Sequence, residues 1–208
     1  AAGNVIGTAL VAANGSWTAT TSTLPDGVNV LSVTATDPAG NTSPATALPM
    51  TVDTSAPAAH AATLAAASDS GVPGDSITAD NTPTISGTGT PGDTITVTFP
   101  GGEIETVVIG GTGTWSLTPT NPLADGLNNV SVTATDPAGN VSVPTTLPVT
   151  IDTSAPLAPT AALATVSDTG TVGDSTTSDN TPTLSGTGTP GDTITIKDAA
   201  GNVIGTAL

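Results

Sequence analysis

The stretch SVTATDPAGN at residues 131–140 joins the alternation of a β-strand to a tight turn, and it recurs unchanged at residues 32–41. The two copies are 99 positions apart. The pentapeptide DTSAP recurs with the same separation, at residues 53–57 and 152–156. The first ten residues, AAGNVIGTAL, also return as the last ten. A fixed period of this kind indicates a tandem array of structural repeats.

The length of the period predicts one domain per repeat, because about 100 residues is an ordinary size for a single hydrophobic core. If the DTSAP segments are the joints, residues 1–53 are the C-terminal half of one repeat. Residues 54–152 are then a complete repeat, and residues 153–208 are the N-terminal half of the next. The chain is therefore expected to be a series of similar domains and not one large fold.

Within a repeat, short segments rich in Val, Ile and Thr alternate with turns made of Gly, Pro, Asn and Asp. This pattern predicts an all-β protein of tandem immunoglobulin-like β-sandwich domains with seven strands each. Val130, Val132 and Ala134 are predicted to face the core, and Trp17 and Trp115 are predicted to anchor it. The predicted strands A to G of the complete repeat are residues 59–66, 82–87, 94–99, 104–109, 114–118, 129–135 and 145–151.

The charge balance narrows the possible partners. Seventeen acidic residues face one basic residue, Lys197, and the chain contains no Arg. Nucleic acids and anionic lipid surfaces are bound through Lys and Arg, so neither is expected as a partner. No apolar run is long enough to insert into a membrane. Where the acidic side chains converge, dissolved cations are the expected source of neutralisation; the alternative is that the charge only keeps the polymer soluble.

The residue inventory argues against an enzyme. The chain has no Cys and no Tyr, and it has a single histidine, His60, so no pair of nucleophile and base can be assembled. His60 is expected to be an incidental surface residue. Carboxylates could in principle hydrolyse glycosides, but the chain has too few aromatic residues for a sugar-binding cleft. No catalytic residue and no organic cofactor is predicted.

Calcium binding is the chemistry that the sequence favours, because Ca²⁺ is held by carboxylates and backbone carbonyls in polar loops. Three aspartates lie in the predicted A–B loop, SDSGVPGDSITADNTP at residues 68–83, and three recur at the same spacing in the next repeat. The loop lacks the D-x-D-x-D-G pattern of an EF-hand. These six candidate ligands are Asp69, Asp75, Asp80, Asp168, Asp174 and Asp179.

Strand topology adds further candidates, since loops at the same end of a sandwich lie close together. The A–B loop, the E–F loop with Asp125 and the exit of strand G share one end, and the B–C and F–G loops share the other. In an array these two ends meet, so the A–B loop aspartates and Asp152 are expected to approach Asp192 of the next repeat. The additional predicted ligands are Asp53, Asp93, Asp136, Asp152 and Asp192. The alternative is that the aspartates of DPAGN, PGD and ADG only cap their own turns.

Taken in order, the motifs DTSAP, SDSG, DNTPTISGTGTPGDTITV, GTWSLTP, LADG and VTATDPAGNVS resemble the bacterial Ig-like repeats of giant adhesins. These adhesins are biofilm-forming surface proteins exported by type I secretion. The resemblance covers essentially the whole chain. It implies a β-sandwich fold, an extracellular location, Ca²⁺ at the linkers and interdomain loops, and the role of a long extender that carries a distal binding module.

Three functions follow as hypotheses. The first is a calcium-stiffened stalk of a bacterial surface adhesin, whose partners are the neighbouring repeats of the same chain. The second is a self-associating subunit of an extracellular filament or biofilm matrix, whose partners are other copies of the chain. The third, a sugar- or peptide-binding module, lacks aromatic binding platforms and is the least favoured.

Overall fold

The central repeat consists of two β-sheets with a shared hydrophobic core, in a computed structural model that describes residues 4–208. One sheet has the strand order β3-β5-β8 and the other has the order β4-β10-β9-β6-β7. The strands of this repeat are β3 (Ala62–Leu64), β4 (Ile77–Thr78), β5 (Ile85–Thr88), β6 (Thr94–Thr98), β7 (Ile104–Val108), β8 (Thr114–Leu117), β9 (Gly126–Thr135) and β10 (Thr145–Ile151).

The core is built from the alternate residues of the long strands, as the sequence predicts. Val130, Val132 and Ala134 of β9 are at most 2% exposed. They pack with Ile95 and Val97 of the adjacent strand β6, whose register pairs Ile95 with Ala134 and Val97 with Val132. Because successive residues of a strand point to opposite faces, the intervening serine and threonines form the outer surface of the sheet.

Trp115 anchors the opposite sheet and depends on a neighbouring glycine. Its side chain is 5% exposed, and β8 pairs with β5 so that Trp115 lies opposite Gly87. A Cβ atom on Gly87 would lie 2.7 Å from Cζ2 of Trp115 and 2.6 Å from the carbonyl oxygen of Ala61. The absence of a side chain at position 87 therefore makes room for the indole ring.

The observed strands differ from the predicted ones in four ways. The predicted strand A corresponds to β3, which is only three residues long. A separate two-residue strand, β4, runs parallel to the end of β10. The sequence did not indicate β4, because Ile77–Thr78 lies inside an acidic, turn-rich loop. Strand F begins three residues earlier than predicted, at Gly126, and strand B begins after the buried Pro83, which has no N–H to donate to a ladder.

The residues before the central repeat contain one antiparallel hairpin, β1 (Gly27–Val33) paired with β2 (Thr46–Val52). The strands that cover Trp115 in the central repeat have no counterpart in residues 4–53, and Trp17 is 51% exposed. The prediction that Trp17 is a buried core residue is therefore wrong for this segment, although its position matches that of Trp115.

The chain divides into two compact units after Thr153. The first hairpin belongs to the same unit as the central repeat, and the three-part division at residues 53 and 152 stays a prediction. Residues 154–208 form the second unit with four short strands, β11 (Ala162–Leu163), β12 (Leu184–Ser185), β13 (Ile194–Lys197) and β14 (Val203–Ala207). No helix of the described residues is long and apolar enough to cross a membrane.

Candidate cation-binding loops and inter-repeat joint

The loop between β3 and β5 contains a carboxylate, that of Asp69, in which only one of the two oxygens accepts a hydrogen bond. Oδ2 of Asp69 accepts a hydrogen bond of 2.5 Å from the backbone N–H of Gly74. Oδ1 of the same side chain is buried and has no hydrogen-bond partner among the described residues. A buried charged oxygen without a partner is costly, so this atom marks a place where a ligand would be stabilising.

The second unit reproduces this arrangement 99 residues later. Oδ2 of Asp168 accepts a 2.6 Å hydrogen bond from Gly173, and its Oδ1 is likewise buried without a partner. Asp168 is only 9% exposed. Both loops also share a serine with positive φ, 60° at Ser76 and 59° at Ser175, so the same backbone path is kept in both copies.

The other loop aspartates cap their own turns. Oδ1 of Asp75 accepts from the N–H of Ile77 at 2.9 Å, and Oδ1 of Asp80 accepts from the N–H of Thr82 at 3.0 Å. Asp174 and Asp179 make the corresponding bonds to Thr176 and Thr181. In Asp179 the backbone N–H of Thr181, together with the hydroxyl of Ser167, holds the pKa below its ordinary value. Each of these four has one oxygen engaged by the turn.

The aspartates at the opposite end of the central repeat lie apart from this loop. Asp136 is the centre of the DPAGN turn: its Oδ1 accepts from Ala138 and Asn140, and its Oδ2 accepts from the Asn140 side chain at 2.8 Å. The side-chain amide of Asn140 is the first cause of the lowered pKa of Asp136. All of these donors belong to the turn, so the structure gives this carboxylate a local role in shaping it.

Asp93 contacts the only histidine. The Asp93 side chain is 5% exposed and its Oδ2 lies 3.7 Å from Nε2 of His60, whose side chain is 11% exposed. The expectation that His60 is an incidental surface residue is therefore wrong. Its neighbour Gly89 leaves room for the imidazole, since a Cβ there would lie 3.0 Å from Nε2. The sequence spacing did not predict this contact, because His60 and Asp93 are 33 positions apart.

The joint at DTSAP is shaped by an aspartate that was not predicted as a ligand. Both oxygens of Asp26 accept from the hydroxyl of Thr54, at 2.9 and 3.1 Å, and Oδ2 also accepts from Ser55 at 3.2 Å. In the next repeat Asp125 accepts from Thr153 with the same two distances. The signal for this pair was the recurrence of Asp-Gly in LPDG and LADG, 99 positions apart.

Among the described residues, no group of three or more His, Cys, Asp or Glu side chains is close enough to share a metal ion. Asp53 caps Ser55, and Asp152 donates its backbone N–H to Thr78. Asp192, in the second unit, donates its N–H to Thr189. Its expected approach to the A–B loop and Asp152 stays a prediction. Asp69 and Asp168 are the two predicted ligands with a buried, unengaged oxygen.

The comparison with known protein families identifies the class. The profile described as "Bacterial Ig-like domain" matches residues 1–54 and 56–153, and the chain belongs to this family. No curated protein matches. Among solved structures, one described as "Crystal structure of tetra-tandem repeat in extending region of large adhesion protein" is 29% identical with a TM-score of 0.38. The match covers 96% of this chain and 50% of that one, so this chain spans half the length of that structure.

Proposed function

We propose that this chain is part of a non-catalytic extender of a bacterial cell-surface adhesin, in which tandem Ig-like domains are stiffened by Ca²⁺. Membership of the bacterial Ig-like family and the fixed repeat period support the role of a structural array. The linker at Asp53 contacts the repeats on both of its sides, as an extender requires. An extracellular location belongs to the same proposal.

The observation that carries the calcium part is the buried, unengaged Oδ1 of Asp69, repeated at Asp168. The one basic residue, Lys197, cannot neutralise both sites, and neither oxygen receives a hydrogen bond. Ca²⁺ takes six to eight oxygen ligands and tolerates irregular geometry, which suits a loop of carboxylates, hydroxyls and carbonyls. The residues of the loop therefore fit a calcium ion better than a softer metal, which prefers Cys or His.

In this proposal the Oδ1 atom of Asp69 is the first ligand in the central repeat. No three acidic side chains of the described residues are close enough to share an ion, so backbone carbonyls, hydroxyls and water molecules would supply most of the remaining positions. A bound divalent ion would contribute positive charge at an end of the repeat whose charged side chains are all acidic. It would thereby lower the repulsion between adjacent repeats.

Calorimetric titration with CaCl₂ tests the calcium proposal. We expect the wild-type chain to bind Ca²⁺ and Asp69→Asn to lose at least one equivalent, because the amide removes the charge that the buried site must offset. Asp198→Asn is the matched control: it removes the same charge from a hairpin turn that is not a predicted site. Absence of binding by the wild-type chain, or equal binding by Asp69→Asn, would contradict the proposal.

A further inference from the structure

The linker between the first hairpin and the central repeat is held from both sides. From the preceding side, the Asp26 carboxylate accepts hydrogen bonds from the hydroxyls of Thr54 and Ser55. From the following side, Nδ2 of Asn140 donates a 3.0 Å hydrogen bond to the carbonyl oxygen of Asp53. These contacts engage three consecutive residues, so the linker is held by hydrogen bonds that need no metal ion.

The position of Asn140 is preset by its own turn. Its backbone N–H and one side-chain N–H are donated to Asp136, at 2.9 and 2.8 Å, and its carbonyl accepts from the N–H of Asp136. Gly139, with φ of 96°, supplies the left-handed residue that closes the turn. An Asn side-chain amide has two N–H groups. With one given to Asp136, the other is directed to Asp53.

We infer that Asn140 is an inter-repeat latch, which binds the backbone carbonyl of Asp53 and sets the direction in which the chain enters the repeat. The partner is a main-chain carbonyl, so the latch does not depend on the side chain of any particular linker residue. It is also independent of calcium: it uses a neutral amide at the end of the repeat opposite the Asp69 loop.

The same turn elsewhere in the chain shows that the linker contact is not needed to form it. The Asp37 carboxylate accepts the same three local hydrogen bonds, from the N–H of Ala39 at 2.9 Å and from the backbone and side-chain N–H groups of Asn41 at 2.8 Å each. Asp198 and Asn202 repeat them in a different hairpin. Among the described residues, Asn140 alone of these asparagines has a hydrogen bond to a linker. The bond to Asp53 is therefore a function added to a turn that forms without it.

Distance measurements between two spin labels by pulsed electron–electron double resonance test the latch. The chain has no cysteine, so Ala47→Cys in β2 and Thr106→Cys in β7, both exposed, can carry spin labels on either side of the linker. Asn140→Ala is compared with Asn41→Ala, which removes the same turn bonds but no linker bond. In EDTA we expect Asn140→Ala to broaden the label-to-label distance distribution. The expected fall in the ratio of latched to open molecules is about fivefold, the equivalent of about 1 kcal/mol for one hydrogen bond.

A distribution of wild-type width for Asn140→Ala, or equal broadening by Asn41→Ala, would overturn the inference. Side-chain amide NMR provides a second measurement in the unmutated chain, so that a folding defect of the variant cannot decide the outcome. The latch predicts slower proton exchange at Nδ2 of Asn140 than at Nδ2 of Asn41; equal exchange overturns it. Failure of calcium binding would leave both results unchanged, and failure of the latch would leave the calcium titration unchanged.

Discussion

The aspartates of this chain differ in what their carboxylate oxygens already contact. Asp136 has both oxygens engaged by its turn, Asp75 has one engaged by a cap, and Asp69 keeps one oxygen buried and unengaged. From the sequence, all three were predicted as metal ligands, because a turn cap and a metal ligand require the same residue type in the same kind of loop. Burial of a single atom separates them, and burial depends on contacts that are distant in the chain.

Gly87 is the residue whose substitution should test the core most directly. We expect Gly87→Ala to lower the free energy of unfolding by about 1–3 kcal/mol, because its Cβ would overlap Trp115 and a backbone carbonyl. Gly110→Ala is the matched control, since a Cβ there meets nothing within 4 Å. Urea unfolding followed by Trp115 fluorescence, in a Trp17→Phe background, measures both. Equal stability of the two variants would contradict the packing described for Trp115.

At the scale of elements, the strongly alternating strands were predictable and the short ones were not. Val130, Val132 and Ala134 were assigned to the core from alternation and from comparison of the two copies, and their burial confirms the assignment. β4 was missed because its parallel pairing with β10 joins residues about 70 positions apart and leaves no local pattern. The roles of Asp26 and Asn140 were missed for the same reason. Their partners lie on the linker, and the sequence shows only that their motifs recur.

Glu103 makes most of the side-chain hydrogen bonds between the β6–β7 hairpin and the segment after β8. Glu103 accepts from the backbone N–H groups of Thr120 and Asn121 and from the Asn121 side chain. Partial burial raises the pKa of Glu103, but these hydrogen bonds outweigh it and the pKa lies below its ordinary value of 4.5. A carboxylate whose pKa is depressed by folding stabilises the folded state above its unfolded pKa. That contribution is lost as the pH falls through the folded value.

Glu103→Gln should therefore lower the melting temperature at pH 7, and the difference from the wild-type chain should shrink as the pH falls through the lowered pKa of the wild-type carboxyl, which then also becomes neutral. Glu105→Gln removes the same charge from the same hairpin but only one hydroxyl contact, with Thr120, and serves as the control. Thermal unfolding measured by circular dichroism between pH 3 and pH 7 gives both curves. A constant difference at all pH values would contradict the role assigned to Glu103.

At the scale of the whole molecule, the period, the all-β class and the family were all readable from repeated motifs, and the fold and the family are confirmed. Repetition made this possible, because two copies of one unit show which positions tolerate exchange. The same repetition did not reveal how the linker is held, because the hydrogen bond from the Asn140 side chain to the carbonyl oxygen of Asp53 joins residues 87 positions apart and leaves no local pattern.

Removal of calcium should change the joints more than the domains. With a net charge of −16, the chain loses the proposed source of neutralisation when EDTA is added, so repulsion between repeats should increase their relative motion. We expect the small-angle X-ray scattering curve to change, with an unchanged far-ultraviolet circular dichroism spectrum at 25 °C. Scattering that is identical in EDTA and in CaCl₂ would count against calcium-dependent stiffening.

The short parallel pairing of β4 with β10 has a mechanical consequence. Ser76 and Thr78 accept hydrogen bonds of 2.9 Å from the N–H groups of Thr150 and Asp152, at the point where β10 leaves the repeat. A pull between residues 53 and 152 draws these two parallel strands in opposite directions. Their hydrogen bonds are then loaded together in shear, and none can open first as in a zipper. A strand of only two residues thus stands directly in the line of force.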